Sequence, residues 1–359
     1  MPLRLSGRII GLCWPQACPI VGYFDDPCAP NLKRKRYTVP MNLSSPKPVR
    51  PRSLAVGSHR SKHSRARPAL TVAMMMTSVA KRLSQADLVY GHGTDNAHDE
   101  AAALVFSACG YAHEAAPQAY AWPVTAQAQE RIEQWLQRRI HERIPSAYLT
   151  GISSFAGLWL ATDTRALVPR SPLAEFIQEQ CQPFIDPRRV KNVLDVGTGS
   201  GCIALALAHY FADCVVDAAD VSLDALALCA QNIARLGLTE RVRPIVSDVY
   251  SGVAHKRYDI IMSNPPYVPT AVVEALAAEY AHEPRLGLEA GADGLSIVRQ
   301  LLAGAADHLN PGGLLVVEVG ETQAAVMATW PTLPFLWLSF HNGGDGVFVL
   351  TREQCLNGR

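Results

Sequence analysis

The chain has 359 residues, 48% of them hydrophobic and 18% charged, and its 33 Lys and Arg nearly balance 32 Asp and Glu. This is the composition of ordinary soluble proteins, with length enough for two domains and a sizeable core. The most apolar runs, Cys202 to Ala208 and Leu314 to Val319, fall far short of the roughly 20 residues a membrane-spanning helix needs. The nine cysteines form no C-x-x-C pair, which argues against a zinc site and for a reducing, cytoplasmic compartment.

The balanced total hides an asymmetry. Residues 1–75 carry 13 Lys or Arg against Asp25 and Asp26 alone, a net of +11, so the remaining residues sum to −10. Ten of the 25 prolines also lie there, and such a segment cannot build a core. It reads as a disordered basic tail, an organellar transit peptide, or sequence ahead of a true start at Met74-Met75-Met76; the last is the expectation. Residues 76–152 follow with apolar residues at three- and four-residue spacing and are expected to form a small helical domain, with Asp95 and Thr125 as helix caps. Residues 153–170, rich in aromatic and β-branched side chains, are expected to form a linking β-hairpin.

From residue 171 onward short apolar runs alternate with helical patterns, at Val193 to Val196, Cys214 to Ala219, Val242 to Val246 and Ile260 to Met262. Such alternation predicts a parallel sheet with helices on both faces, an α/β fold. Gly313 to Val319, Phe335 to Phe340 and Val347 to Leu350 add three strands. The glycine-rich link His341–Gly346 is short enough to make the last two an antiparallel hairpin.

The first of these strands runs into Asp195-Val196-Gly197-Thr198-Gly199-Ser200-Gly201, and a helix-forming run follows. Glycines let a backbone approach a ligand closely, and a helix start offers free N–H donors. The G-x-G-x-x-G dinucleotide fingerprint would need glycine where this chain has Cys202. That points away from NAD and towards an adenosine ligand without a pyrophosphate. Asp220 ends the next strand, where doubly wound folds place the acid that accepts from ribose hydroxyls; Asp248, after the third, could accept from an adenine amino group. Asn264-Pro265-Pro266-Tyr267 ends the fourth strand, at the same edge of the sheet. Proline fixes φ and lacks an N–H, so the segment is acceptor-rich. The carbonyls of Asn264 and Pro265 could grip both hydrogens of a planar NH₂ group while Tyr267 packs on its face. His92, on a glycine-flanked loop, reads as structural or substrate-docking, and Glu283 as part of the channel rim.

The glycine loop together with Asn264-Pro265-Pro266-Tyr267 resembles the class I S-adenosylmethionine-dependent methyltransferases that act on planar nitrogens. Two branches use this tetrapeptide, the nucleic-acid adenine methyltransferases and the HemK-type protein-glutamine methyltransferases. The preceding helical domain, Leu167-Val168-Pro169-Arg170 and Asn342-Gly343-Gly344-Asp345-Gly346 are similar to the second. Within it, Tyr90–Asn96 and Ser171-Pro172 resemble the PrmB-type enzymes; release-factor enzymes more often carry a second proline where this chain has Ser171. The resemblance spans about residues 77–355. It implies a Rossmann-like seven-stranded sheet with its last strand antiparallel, S-adenosyl-L-methionine as cofactor, and a glutamine of ribosomal protein L-three as substrate. The expected cofactor contacts are Asp195, Gly197, Thr198, Gly199, Gly201, Asp220, Asp248 and Asn264. Substrate contacts are expected at Asn264, Pro265, Pro266 and Tyr267, with Asn264 and Pro265 catalytic and no metal. An acidic body suits a basic protein partner better than a nucleic acid, and no membrane partner is expected. A glutamine methyltransferase of peptide chain release factors, a DNA or RNA adenine amino-methyltransferase and a non-catalytic adenosine-binding factor are the alternatives.

Overall fold

In the computed structural model the described residues are 69–357, so the expectations for the basic segment up to residue 68 lie outside them. The helical part begins earlier than the boundary at residue 76. A helix spans Val72–Gln85, and the Thr71 side chain caps it by accepting from the Met74 N–H. Val72, Met76, Val79 and Leu83 form its buried stripe, spaced four, three and four apart as a helix facing a core requires. The second helix, Ala97–Cys109, is capped by Asn96 rather than Asp95: Asn96 Oδ1 accepts from the N–H groups of His98 and Asp99 at 2.9 and 3.0 Å. The adjacent asparagine, one residue nearer the helix, takes the capping position. Thr125 caps the helix Ala126–His141, as expected.

The hairpin is shorter and earlier than residues 153–170. Strands β1 (Ile152–Phe155) and β2 (Leu158–Ala161) pair antiparallel about Ala156 and Gly157, both at positive φ. A two-residue turn of that hand matches strand twist, but alanine in the left-handed region leaves no sequence signature. The next ten residues run irregularly to Pro172.

The main sheet comprises β3 (Asn192–Val196), β4 (Val215–Asp220), β5 (Val242–Val246), β6 (Tyr258–Ser263), β7 (Leu309–Glu318), β8 (Leu336–Trp337) and β9 (Val347–Thr351). Its order is β5-β4-β3-β6-β7-β9-β8, with β9 antiparallel to both neighbours and the other central pairs parallel. This is the class I methyltransferase architecture expected. β8 pairs over two residues only, not Phe335 to Phe340; it is an edge strand with one partner and follows Pro334.

Alternate side chains of the central strands enter opposite cores, as period-two geometry dictates. Val193, Ile260, Met262, Leu314 and Val316 pack with the helix Cys202–Tyr210 on one face. Leu194, Ile261, Leu315 and Val317 pack with the helix Ser296–His308 on the other. Burial on both faces explains why these strands read as continuous apolar runs. Among the described residues no helix is long and apolar enough to cross a membrane.

A buried ion pair set joins the helical part to the segment that follows β6. Arg139, fully buried, donates through Nε to Glu100 at 2.5 Å, through one terminal nitrogen to Glu279 at 3.2 Å and through the other to the Val89 carbonyl at 2.8 Å. Glu279 also accepts from the Val89 N–H at 3.0 Å. Removing one partner of a buried pair strands the others without water. Arg139→Met is therefore expected to destabilise the protein by about 3–5 kcal/mol, read as a lowered urea midpoint at unchanged slope.

Candidate functional site

Three strand ends define the site. Val196 and Val317 both lie in register with Ser263, the last residue of β6. The chain therefore leaves β3, β6 and β7 side by side at the carboxyl edge of the sheet, where open α/β sheets bind ligands. Ser263 fastens the first two by donating its hydroxyl to the Val196 carbonyl at 2.7 Å.

After β3 the loop is drawn onto its neighbours. The N–H groups of Gly197 and Thr198 both donate to the Ala219 carbonyl, at 2.8 and 2.9 Å, and the Gly199 N–H donates to the Asp220 carboxylate at 2.9 Å. Asp195 is wholly buried; its Oδ2 accepts from the Thr198 hydroxyl at 2.6 Å and from the Ala204 N–H, in the first turn of the helix, at 3.1 Å. Burial pushes its carboxyl up to about 7, against those donors. Gly197, Gly199 and Gly201 all have positive φ. A Cβ on Gly201 would stand 2.7 Å from Cys229 Sγ, whereas one on Gly197 would meet nothing within 4 Å. Gly201 is thus required by packing, and Gly197 opens onto free space. Asp248 is exposed, two residues beyond Val246, which is the register partner of Asp220.

After β6, Pro265 is buried and Asn264, Pro266 and Tyr267 are half-buried. These residues adjoin Glu318, the last residue of β7, which the sequence reading passed over. Glu318 is 5% exposed. It accepts from the Ser171 hydroxyl at 2.5 Å and the Tyr267 hydroxyl at 3.3 Å, and burial pushes it up to about 7. The sequence signal was a single acid closing the apolar run from Leu314.

The glycine-rich link before β9 belongs to the same cluster. A Cβ on Gly346 would lie 2.2 Å from the Gly320 carbonyl oxygen, one on Gly344 2.8 Å from the Pro172 ring, and one on Gly320 2.8 Å from the Tyr267 ring. Glu175 holds the start of the link, accepting from the backbone N–H groups of His341 and Asn342 at 2.7 and 3.1 Å. Glu175, Glu179 and His341 come within 4.8 Å of one another on the surface, an arrangement those bonds to the link account for.

Glu283 gathers a further buried cluster. Arg170 grips it with two bonds of 2.7 Å, and the Val168 N–H donates to it at 3.0 Å. His92 Nε2, from the helical part, stands 3.5 Å away, with its ring against Tyr280. Burial alone would raise the Glu283 carboxyl, but the His92 ring and the Arg170 guanidinium hold it down to about 2. His92 and Glu283 thus sit in one buried cluster, in which Glu283 clamps Arg170 and the Val168 backbone. Asn232, fully buried, completes the frame. Its Oδ1 accepts from the Ala161 N–H at 2.7 Å, and its amide donates to the carbonyls of Ala161 and Ser200, each at 3.0 Å, tying β2 to the glycine loop.

Two glycine substitutions separate crowding from strain. Gly197→Ala should cost about 1–2 kcal/mol, the left-handed backbone penalty. Gly346→Ala must also displace the Gly320 backbone and should cost about 3–5 kcal/mol; urea denaturation of the two variants compares them.

A family model described as the methyltransferase small domain matches residues 181–283. Among curated proteins, the ribosomal protein uL3 glutamine methyltransferase of Xanthomonas campestris is 44% identical over 276 residues, 77% of this chain and 89% of that relative. Its counterparts from Xylella fastidiosa, over 286 residues, and Neisseria meningitidis, over 289 residues, are also 44% identical, each covering 80% of this chain and 91% and 94% of the relative. With that identity over nearly the whole length of those proteins, the chain belongs to the family of the ribosomal protein uL3 glutamine methyltransferases.

Proposed function

We propose that the protein transfers a methyl group from S-adenosyl-L-methionine to the side-chain amide nitrogen of a glutamine in ribosomal protein L-three (uL3), acting in the cytoplasm. The observation that carries this reading is the register that sets Asn264 and Pro265, directly after Ser263, between the glycine loop that follows Val196 and Glu318. The kinship with uL3 glutamine methyltransferases supports the choice of substrate. The net charge of −10 beyond residue 75 favours a basic protein over a nucleic acid. The cysteines among the described residues, scattered singly along the chain, suit a reducing compartment.

The residues present fit the cofactor. Asp195 Oδ1 is buried without a hydrogen-bond partner, and the surface over Gly197 is open. Each Asp220 oxygen takes one backbone donor, from Gly199 or Ser222, at 2.9 Å. Since a carboxylate accepts about four bonds, Asp220 retains capacity for a diol. Asp195, Gly197, Thr198, Gly199, Gly201, Asp220 and Asp248 would hold S-adenosyl-L-methionine, with Asn264 at its reactive end. When bound, it supplies an activated sulfonium methyl, which needs no metal and no covalent intermediate.

The chain's own task is to orient a poor nucleophile. A carboxamide nitrogen delocalises its lone pair into its carbonyl, so it must be held and its N–H bonds polarised. The Asn264 Oδ1 and the Pro265 carbonyl accept from the two amide hydrogens, and Pro266 adds no competing donor. Tyr267 is braced by Glu318 and by Gly320 beneath its ring, so its plane is fixed beside the amide. Holding reactants in this way is worth several kcal/mol of barrier, up to about 7–11 kcal/mol in the best-oriented systems.

Labelled methyl transfer with the full chain and purified uL3, followed by peptide mapping, tests the reading; label on a glutamine amide of uL3 is expected, and label confined to duplex DNA or a release factor would contradict it. Asn264→Ala should lower kcat by about 100-fold. Asp220→Ala should weaken S-adenosyl-L-methionine binding roughly 10- to 100-fold, the worth of hydrogen bonds to a charged group, as measured by calorimetry.

A further inference from the structure

The amino edge of the sheet, at the far end of the strands from the glycine loop and Asn264, holds a second cluster of charges. β3, β4, β5 and β6 begin there around a cavity of about 190 Å³ lined by Asn192, Asp217, Arg243, Lys256, Arg257 and Tyr258. That volume admits several waters or one tetrahedral oxyanion. Three cationic side chains against one carboxylate stand out in a body whose net charge is −10.

Asp217 is the buried acid of the cluster, 5% exposed. Its Oδ2 takes both available donors, the Lys256 ammonium at 2.7 Å and the Tyr258 hydroxyl at 2.8 Å. Its Oδ1 is also buried but has no hydrogen-bond partner, a costly state for a charged group. Arg243 lies beside Asp217 in register, on β5. Among the described residues neither its guanidinium nor that of Arg257 has an ion-pair partner; Arg257 gives one nitrogen to the Leu309 carbonyl at 3.1 Å. The cluster therefore carries two unmatched functions, a surplus of cationic donors and one acceptor that only a donor can satisfy.

We propose that this cavity binds inorganic phosphate as the hydrogen phosphate dianion, with Arg243, Arg257 and Lys256 donating to its oxygens and its hydroxyl donating to Asp217 Oδ1. Two negative charges answer the excess of two cations, and planar guanidinium forks match phosphate geometry. The carboxylate sets the selectivity. It has no donor of its own, so an oxyanion without a proton would meet Asp217 Oδ1 as a like charge. Sulfate and phosphodiesters carry no hydroxyl, and phosphate monoesters lose theirs above a second pKa of about 6. Of these anions only hydrogen phosphate is doubly charged and still a donor. The site lies away from the proposed reaction and does not rest on it.

The test is calorimetric titration of the full chain with sodium phosphate, sodium sulfate and glycerol phosphate in turn, in phosphate-free buffer at about pH 7.5, where monoesters are dianions. Phosphate should bind at one site per chain, at least about 10-fold tighter than sulfate or glycerol phosphate, the worth of one hydrogen bond to a charged group. Arg243→Ala, an exposed position that leaves the fold intact, should weaken phosphate by about 10-fold or more. Asp217→Asn supplies an amide donor, so it should bring sulfate to within about threefold of phosphate. No binding of phosphate, equal affinity for sulfate in the parent, or parental affinity in Arg243→Ala would overturn the proposal. The Arg243 result stands by itself should Asp217→Asn lower the urea midpoint.

Discussion

The site depends on one register. Because Ser263 lies opposite both Val196 and Val317, the residues that follow β3 and β6 and the one that ends β7 emerge in a row. They bring the glycine loop, Asn264 and Glu318 together without any long-range loop having to find them. A shift of one residue in β6 would exchange its two buried faces and carry Asn264 away from both neighbours. The apolar packing on the two sides of the sheet forbids that shift, so the energy that forms the core also sets the site.

Around this row, distant segments converge for steric reasons. Ser171 and Pro172 precede the sheet and the glycine link closes it, yet Gly344 lies against Pro172 and Gly346 against Gly320. Gly320 in turn supports Tyr267. The helical part is drawn in by charge: Glu279 and Glu283, four residues apart after β6, bind Arg139 and Arg170 and lie beside Val89 and His92. Such desolvated pairs contribute little net stability but are costly to break. They therefore define how the helical part sits against the segment that follows β6.

The strands of the sheet, their order of chemistry and the residues at their ends were legible because β-strands buried on both faces leave apolar runs, and glycine or proline punctuates them. The helical stripe beginning at Val72 was obscured by the basic segment ahead of it, and the start was therefore placed near Met76. Ala156 gave no turn signal because alanine rarely takes the left-handed region. Glu318 and Asn232 were hidden for a different reason. Each is a single polar residue in an apolar pattern, and its meaning lies entirely in partners from other elements: Ser171 and Tyr267 for the first, Ala161 and Ser200 for the second. Pattern reading sees local periodicity, whereas buried polar bonds across the fold leave none.

The central claim is that two carbonyls, Asn264 Oδ1 and Pro265 O, receive the amide of the substrate glutamine. A crystal structure of the protein with a glutamine-bearing uL3 peptide and the demethylated cofactor product tests it most directly. The account predicts the glutamine nitrogen within about 3.2 Å of both oxygens. A glutamine held by other groups, or an Asn264 amide flipped to donate to the substrate, would contradict it.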